Sequence, residues 1–65
     1  MADEEGDLPR EVGRPATRAL HAAGYTRLGQ LEGVPGADLL ALHGVGPKAV
    51  RLLREALAER GSDLA

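Results

Sequence analysis

The chain has 65 residues, no cysteine, and Tyr25 as its single aromatic residue. A chain of this length folds as one small domain, which buries too little surface to enclose the deep site of a typical enzyme. Without cysteine it has no disulfide and no thiolate metal site, and with one aromatic side chain it lacks the stacking platform of single-strand binders. We therefore expect a small helical domain that is not an enzyme.

Charge is distributed unevenly along the chain, whose formal net charge is −2. Residues 1–9 carry four acids and no base, residues 10–60 carry eight bases and five acids, and residues 61–65 carry one acid. Residues 1–9 lack periodic apolar positions and are predicted to be an acidic disordered tail, followed by a domain over residues 10–61 and a C-terminal tail over residues 62–65. The acidic tail either keeps the protein soluble or competes with phosphates for the basic domain.

The sequence indicates neither a membrane segment nor a metal site. It has no run of about twenty apolar residues, and its first residues are acidic, unlike the basic start of a signal peptide. We therefore expect a cytoplasmic protein that does not enter membranes and that associates with the nucleoid if DNA is its ligand. His21 and His43 have no further ligand at metal spacing, so we expect no cofactor. His43 is expected to end a helix, where positive charge is favourable.

The first half of the domain predicts two helices. Residues 15–23 begin with Pro15 and are followed by Gly24, which is typical of the position after a helix C-cap. Their apolar positions recur every three or four residues, at Ala16, Ala19, Leu20 and Ala23. A shorter helix over residues 26–31 is predicted to begin with Thr26 as its cap.

The second half of the domain predicts two further helices. Pro35 and Gly36 begin one that extends to about residue 42, and the longest helix covers residues 47–60 and ends at Gly61. Five apolar residues of the longest helix share a sector about 120° wide: Ala49, Val50, Leu53, Ala56 and Leu57. Its bases lie on the other side, at Lys48, Arg51 and Arg54. The fold class is therefore all-α, a compact bundle of four to five short helices.

Between these two helices lies the sequence Gly44-Val45-Gly46-Pro47-Lys48. The two glycines allow positive φ and lack the β-carbon that would keep a phosphate from the main chain. N–H groups of residues 44, 45, 46, 48 and 49 are then candidate donors, at a helix N-terminus that favours anions. The alternative is that the glycines only turn the chain from one helix to the next.

From about residue 12 to residue 61, the chain resembles the tandem helix-hairpin-helix domains. Within them it is most similar to the C-terminal domain of the bacterial RNA polymerase alpha subunit. The residues that carry the resemblance are Arg14, Leu20, Ala22, Tyr25, Leu28, Leu31, Leu39-Leu40, Gly44-Val45-Gly46-Pro47-Lys48 and Leu57-Ala58-Glu59-Arg60-Gly61. The resemblance implies a SAM-domain-like tandem fold whose second hairpin is degenerate, in a bacterial, transcription-related protein. It leaves open a monovalent cation held by hairpin carbonyls.

In that family, DNA is contacted by an arginine at the start of the first helix, the second hairpin glycine and the basic residue that follows it. The resemblance therefore implicates Arg14, Gly46 and Lys48. Three positions differ from the family. Pro15 aligns with the arginine, so that Arg14 lies one position early, Arg18 replaces an asparagine, and Ala49 replaces a serine. These differences favour contacts with the phosphate backbone over the reading of base sequence.

We predict that the domain binds duplex DNA through its phosphates, with little base specificity. The predicted site residues are Gly44, Val45, Gly46, Lys48, Ala49, Arg51, Arg14 and Arg18. The alternative is a protein-interaction adaptor, transcription-associated or self-associating, that docks its partner through Leu52 and residues 8–12.

Overall fold

The computed structural model of the protein describes residues 7–65, which contain only helices and turns. The elements are three α-helices and two 3₁₀ turns: Arg10–Val12 (3₁₀), Arg14–Ala22 (α1), Leu28–Leu31 (3₁₀), Gly36–Leu40 (α2) and Pro47–Ala58 (α3). The all-α class and a compact packing are confirmed. The predicted number of four to five helices is not, because two of the elements are single 3₁₀ turns.

Helix α1 ends as its sequence predicts. The N–H of Tyr25 donates to the carbonyl of Leu20 (2.8 Å), and the N–H of Gly24 donates to that of His21 (3.0 Å). This pair of bonds is the Schellman arrangement, in which a glycine directly after the C-cap closes the last turn. The helix begins one residue earlier than expected, at Arg14, and buries Ala16 and Leu20.

The element after α1 differs from its prediction. Residues Leu28–Leu31 form a 3₁₀ turn, and its cap is Arg27 rather than Thr26. The side-chain oxygen Oε1 of Gln30 accepts hydrogen bonds from the N–H groups of Thr26 and Arg27, both at 2.8 Å. The predicted Thr26 cap is therefore wrong: the hydroxyl of Thr26 donates to Oε1 of Gln30 (3.4 Å), and the N–H of Leu28, which it could have capped, donates to Asp7 instead.

The core contains leucines from every part of the domain. The five largest fully buried side chains are Leu20 of α1, Leu31 of the second 3₁₀ turn, Leu39 of α2, and Leu53 and Leu57 of α3. On α3 the predicted apolar face is confirmed, since Ala49, Val50, Leu53 and Leu57 are buried and Ala56 packs beside them. Burial of these side chains holds the helices together in a chain that has no disulfide.

Both ends of the described chain pack on this core. Leu64 is buried, and backbone hydrogen bonds join Gly33 to Asp63 (3.1 Å) and Ala65 to Val34 (3.0 Å). Residues 62–65, predicted to be a tail, are thus fixed against the loop before α2. At the other end Leu8 packs on the core, so the packed part begins before residue 10. Residues 1–6 of the predicted acidic tail lie outside the described residues.

Candidate nucleic-acid interface

Residues 41–46 connect α2 to α3 in a turn that is closed by its own backbone. The N–H of Val45 donates to the carbonyl of Leu42 (3.1 Å), and the side chain of Val45 is buried. Gly44 has a φ of +102°, in the left-handed region that glycine accepts without strain. Gly46 has φ −109° and ψ 179°, which is extended backbone. The positive φ that both glycines allow therefore occurs at Gly44 and not at Gly46.

The turn lies directly against the start of α1. A β-carbon added at Gly44 would be 3.0 Å from the carbonyl oxygen of Pro15 and 3.6 Å from the β-carbon of Ala19. Only a glycine permits this approach, since the nearest atom belongs to the backbone. The contact brings residues 43–44 beside the arginines of α1, which are distant in sequence.

The N-terminus of α3 offers unoccupied N–H groups. Gly46 is its N-cap and provides no capping side chain, and the first helical bond runs from the N–H of Val50 to the carbonyl of Gly46 (3.1 Å). Within residues 7–65, the N–H groups of Gly46, Lys48 and Ala49 have no hydrogen-bond acceptor. Open space surrounds Gly46, since nothing lies within 4 Å of where its β-carbon would be.

The structure changes the roles predicted for Val45 and Ala49. The N–H of Val45 is not free, because it closes the turn through Leu42, and Val45 therefore serves as a core residue. Ala49 is buried through its methyl group, so that only its backbone N–H remains as a donor. The usable N–H groups are those at Gly46, Lys48 and Ala49, together with that of Gly44, which likewise has no acceptor in the described part of the chain.

The exposed cations divide into two groups. Arg54 pairs with Asp63 at 3.6 Å, and Arg60 pairs with Asp7 at 3.5 Å. By contrast, none of the predicted contact cations has a carboxylate of the described chain within 4.0 Å: Arg14, Arg18, Lys48 and Arg51. All four are exposed. Within residues 7–65, their charge is thus not paired with a carboxylate.

Two shallow grooves flank the turn. One, of about 400 Å³, is lined by Arg14, Pro15, Arg18, His43 and Gly44. The other, of about 260 Å³, is lined by Leu40, Pro47, Val50, Arg51 and Arg54. The structure thus brings Arg14 and Arg18 to one end of the turn and Arg51 to the other. His43 was not among the predicted site residues; it lies within the turn, because α2 already ends at Leu40.

A third groove, of about 490 Å³, is acidic and contains none of the predicted DNA contacts. Leu52 and Leu28 line its apolar part, and its carboxylates are those of Asp7, Glu11, Glu55 and Glu59. The carboxylate of Asp7 accepts a hydrogen bond from the N–H of Leu28. Arg60, which pairs with Asp7, is the one basic side chain that lines it, so four carboxylates face a single cation in this groove.

Comparison with protein-family models, with curated proteins and with solved structures finds no match to this chain. Within residues 7–65, no helix is long and apolar enough to cross a membrane. The same residues contain no cluster of three or more histidine and carboxylate side chains suited to a metal ion.

Proposed function

We propose that this protein binds the phosphate backbone of duplex DNA through a helix-hairpin-helix formed by α2, the 41–46 turn and α3. The observation that carries the proposal is the N-terminus of α3, where the N–H groups of Gly46, Lys48 and Ala49 have no acceptor in the described chain. The first half of a tandem arrangement would be α1, residues 23–27 and the second 3₁₀ turn, with residues 23–27 as its degenerate hairpin.

Three physical contributions favour an anion at this N-terminus. Unpaired N–H groups donate to it directly, and the helix dipole places partial positive charge there. The ammonium group of Lys48 adds a full charge at the second helical position. Because Gly46 has no side chain and open space around it, a phosphate oxygen can approach the main chain closely.

Duplex backbone is the best-fitting ligand for this set of groups. Backbone N–H groups and exposed cations recognise phosphates, which are identical for every base sequence. The second group of contacts, Arg14 and Arg18 on α1, supplies positive charge for a neighbouring phosphate. With about four phosphates neutralised, log K falls with log salt at a slope near −3.6, and affinity at physiological salt is micromolar or weaker.

The experiment that tests the proposal follows backbone amide shifts while a random-sequence duplex is added at low salt. We expect shifts concentrated at residues 44–51 and at the start of α1, because those amides adjoin the proposed phosphates. Residues of the acidic groove, such as Glu55 and Glu59, provide the internal reference. Uniform shifts, or none at low salt, would contradict DNA binding.

A protein-interaction adaptor is the second candidate function, and the acidic groove favours it. Leu52 is half-buried there, off the apolar face that α3 turns to the core, and the groove around it contains four carboxylates and one cation, Arg60. Such a groove suits a partner segment that combines an apolar anchor with basic side chains. If the duplex titration leaves residues 44–51 unshifted at low salt, this second function becomes the better account.

A further inference from the structure

The groove beside α1 gathers cationic side chains around a turn glycine. Arg14 and Arg18 enter it from one face of α1, and His43 enters it from the turn. Gly44 forms part of the wall, and the 3.0 Å approach to the carbonyl of Pro15 leaves no room there for a side chain. All three cationic or titratable side chains are exposed.

Nothing within the described chain neutralises this groove. No carboxylate of residues 7–65 lies within 4.0 Å of Arg14, Arg18 or His43. The two guanidinium groups are four residues apart on α1, a spacing at which like charges repel. An anion placed between them attracts both and so offsets that repulsion. The backbone N–H groups of His43 and Gly44, two residues that also line the groove, have no acceptor among the described residues.

We propose that this groove binds a second phosphodiester of the duplex, and that His43 takes up a proton when it does so. The proposal rests on the proposed DNA-binding function and assigns it a second phosphate site. A neutral imidazole donates one hydrogen bond and carries no charge, whereas the protonated ring donates two and is positive. A phosphate therefore binds more tightly when His43 is protonated, and by linkage its binding favours proton uptake.

Among the described residues, no carboxylate lines either of the two recesses beside His43. On the groove side it faces Arg14 and Arg18. Its other side adjoins a recess of about 290 Å³ whose remaining lining, Ala19, Ala22, Ala23 and Leu42, contains no titratable group. The carboxylates of Glu55 and Glu59 line the separate acidic groove. Among the described residues that line the groove beside α1, His43 is therefore the side chain whose type can gain or lose a proton between pH 5 and 8.

The test measures duplex affinity at pH 6 and pH 8, at fixed low ionic strength, for the parent protein, His43→Gln and His21→Gln. We expect the parent to bind about two- to fivefold more tightly at pH 6, the size of an exposed ion pair. His21 is also exposed but does not line this groove, so His21→Gln should keep the ratio, whereas His43→Gln should reduce it to about one. In parallel, the imidazole proton signals of His43, but not those of His21, should change position when the duplex is added at pH 6.

The outcomes separate this proposal from the one on which it rests. If the parent binds equally at both pH values, or if His43→Gln keeps the pH dependence, the proposed phosphate site with proton uptake by His43 is overturned. Duplex binding through the N-terminus of α3 is unaffected by that result. If the parent shows no binding at either pH in low salt, both proposals are overturned. Circular dichroism of each variant confirms that the exposed substitution leaves the helices intact.

Discussion

A β-carbon on Gly44 would lie 3.0 Å from the carbonyl oxygen of Pro15, which makes this glycine a close backbone contact between the 41–46 turn and α1. This contact places two sets of predicted DNA contacts on one surface: Arg14 and Arg18 of α1, and residues 44–51 of the turn and α3. It depends on an unusually close approach of two backbone segments, and on a φ of +102°. Both conditions are met by glycine alone.

Gly44→Ala should therefore destabilise the fold. Positive φ at a non-glycine residue costs about 1–3 kcal/mol, and the clash with Pro15 adds to it. Gly46→Ala is the matched control, because Gly46 is extended and has nothing within 4 Å of its β-carbon position. Its cost should stay below about 1 kcal/mol. Urea unfolding followed by circular dichroism measures both, and equal losses of stability would contradict the role given to Gly44.

The C-terminal residues should contribute to stability although their sequence predicted a tail. Leu64 is 7% exposed, and Leu64→Ala should cost about 2 kcal/mol through lost burial and the cavity left behind. Leu40 is 45% exposed and provides the control, since Leu40→Ala removes the same atoms from a surface position. Thermal unfolding of the two variants compares them. Similar midpoints would indicate that residues 62–65 do not hold to the core in solution.

Periodicity and turn chemistry predicted much of the fold. The apolar face of α3 follows from the spacing of its leucines, and the end of α1 follows from Gly24, since both signals are local. The burial of Leu64 was missed because it depends on the return of the chain to residues 33–34, which no local pattern encodes. The Thr26 cap was assigned wrongly because, in a capping box, the reciprocal side chain lies three residues after the cap. Gln30 lies three residues after Arg27 and four after Thr26, so Arg27 is the cap residue.

The candidate site shows the same division between local and distant signals. Lys48 and Arg51 were predicted from their place on the polar face of α3, and both are exposed there. The turn geometry was predicted less well, because a glycine in the sequence does not reveal whether its φ is positive, as at Gly44, or extended, as at Gly46. His43 was missed since only tertiary packing places it with Arg14 and Arg18.

Lys48→Ala should weaken duplex binding by the loss of one phosphate contact. The loss should be equal for different base sequences, and the slope of log K against log salt should become shallower by about one unit. Arg10→Ala is the charge-matched control, because Arg10 is exposed in the first 3₁₀ turn and belongs neither to the 41–46 turn nor to α3. Fluorescence anisotropy at several salt concentrations gives both slopes. A change of slope as large for Arg10→Ala as for Lys48→Ala would show that only net charge matters.

Substitutions of Gly46 should change stability and DNA affinity in opposite directions. Its extended backbone is the conformation of an N-cap, so an Asp or Asn side chain there accepts hydrogen bonds from the N–H groups of Lys48 and Ala49. Gly46→Asp should raise the free energy of unfolding by a few tenths of a kcal/mol relative to the parent, through this cap and the helix dipole. Gly46→Asn should do so through the cap alone, and Gly46→Ala should be the least stable.

Affinity for the duplex should follow the reverse order: Gly46→Ala should retain most of the parent's affinity, Gly46→Asn less, and Gly46→Asp least. The capping oxygen occupies the N–H groups that the phosphate needs, and the carboxylate of Asp also repels it. Loss of one hydrogen bond to a charged group corresponds to a decrease of about tenfold or more for Gly46→Asp. For the same three variants, fluorescence anisotropy measures the order of duplex affinity and urea unfolding measures the order of stability. If affinity instead rises with stability, or does not change, the N-terminus of α3 binds no phosphate, and the adaptor function through the groove at Leu52 becomes the better account.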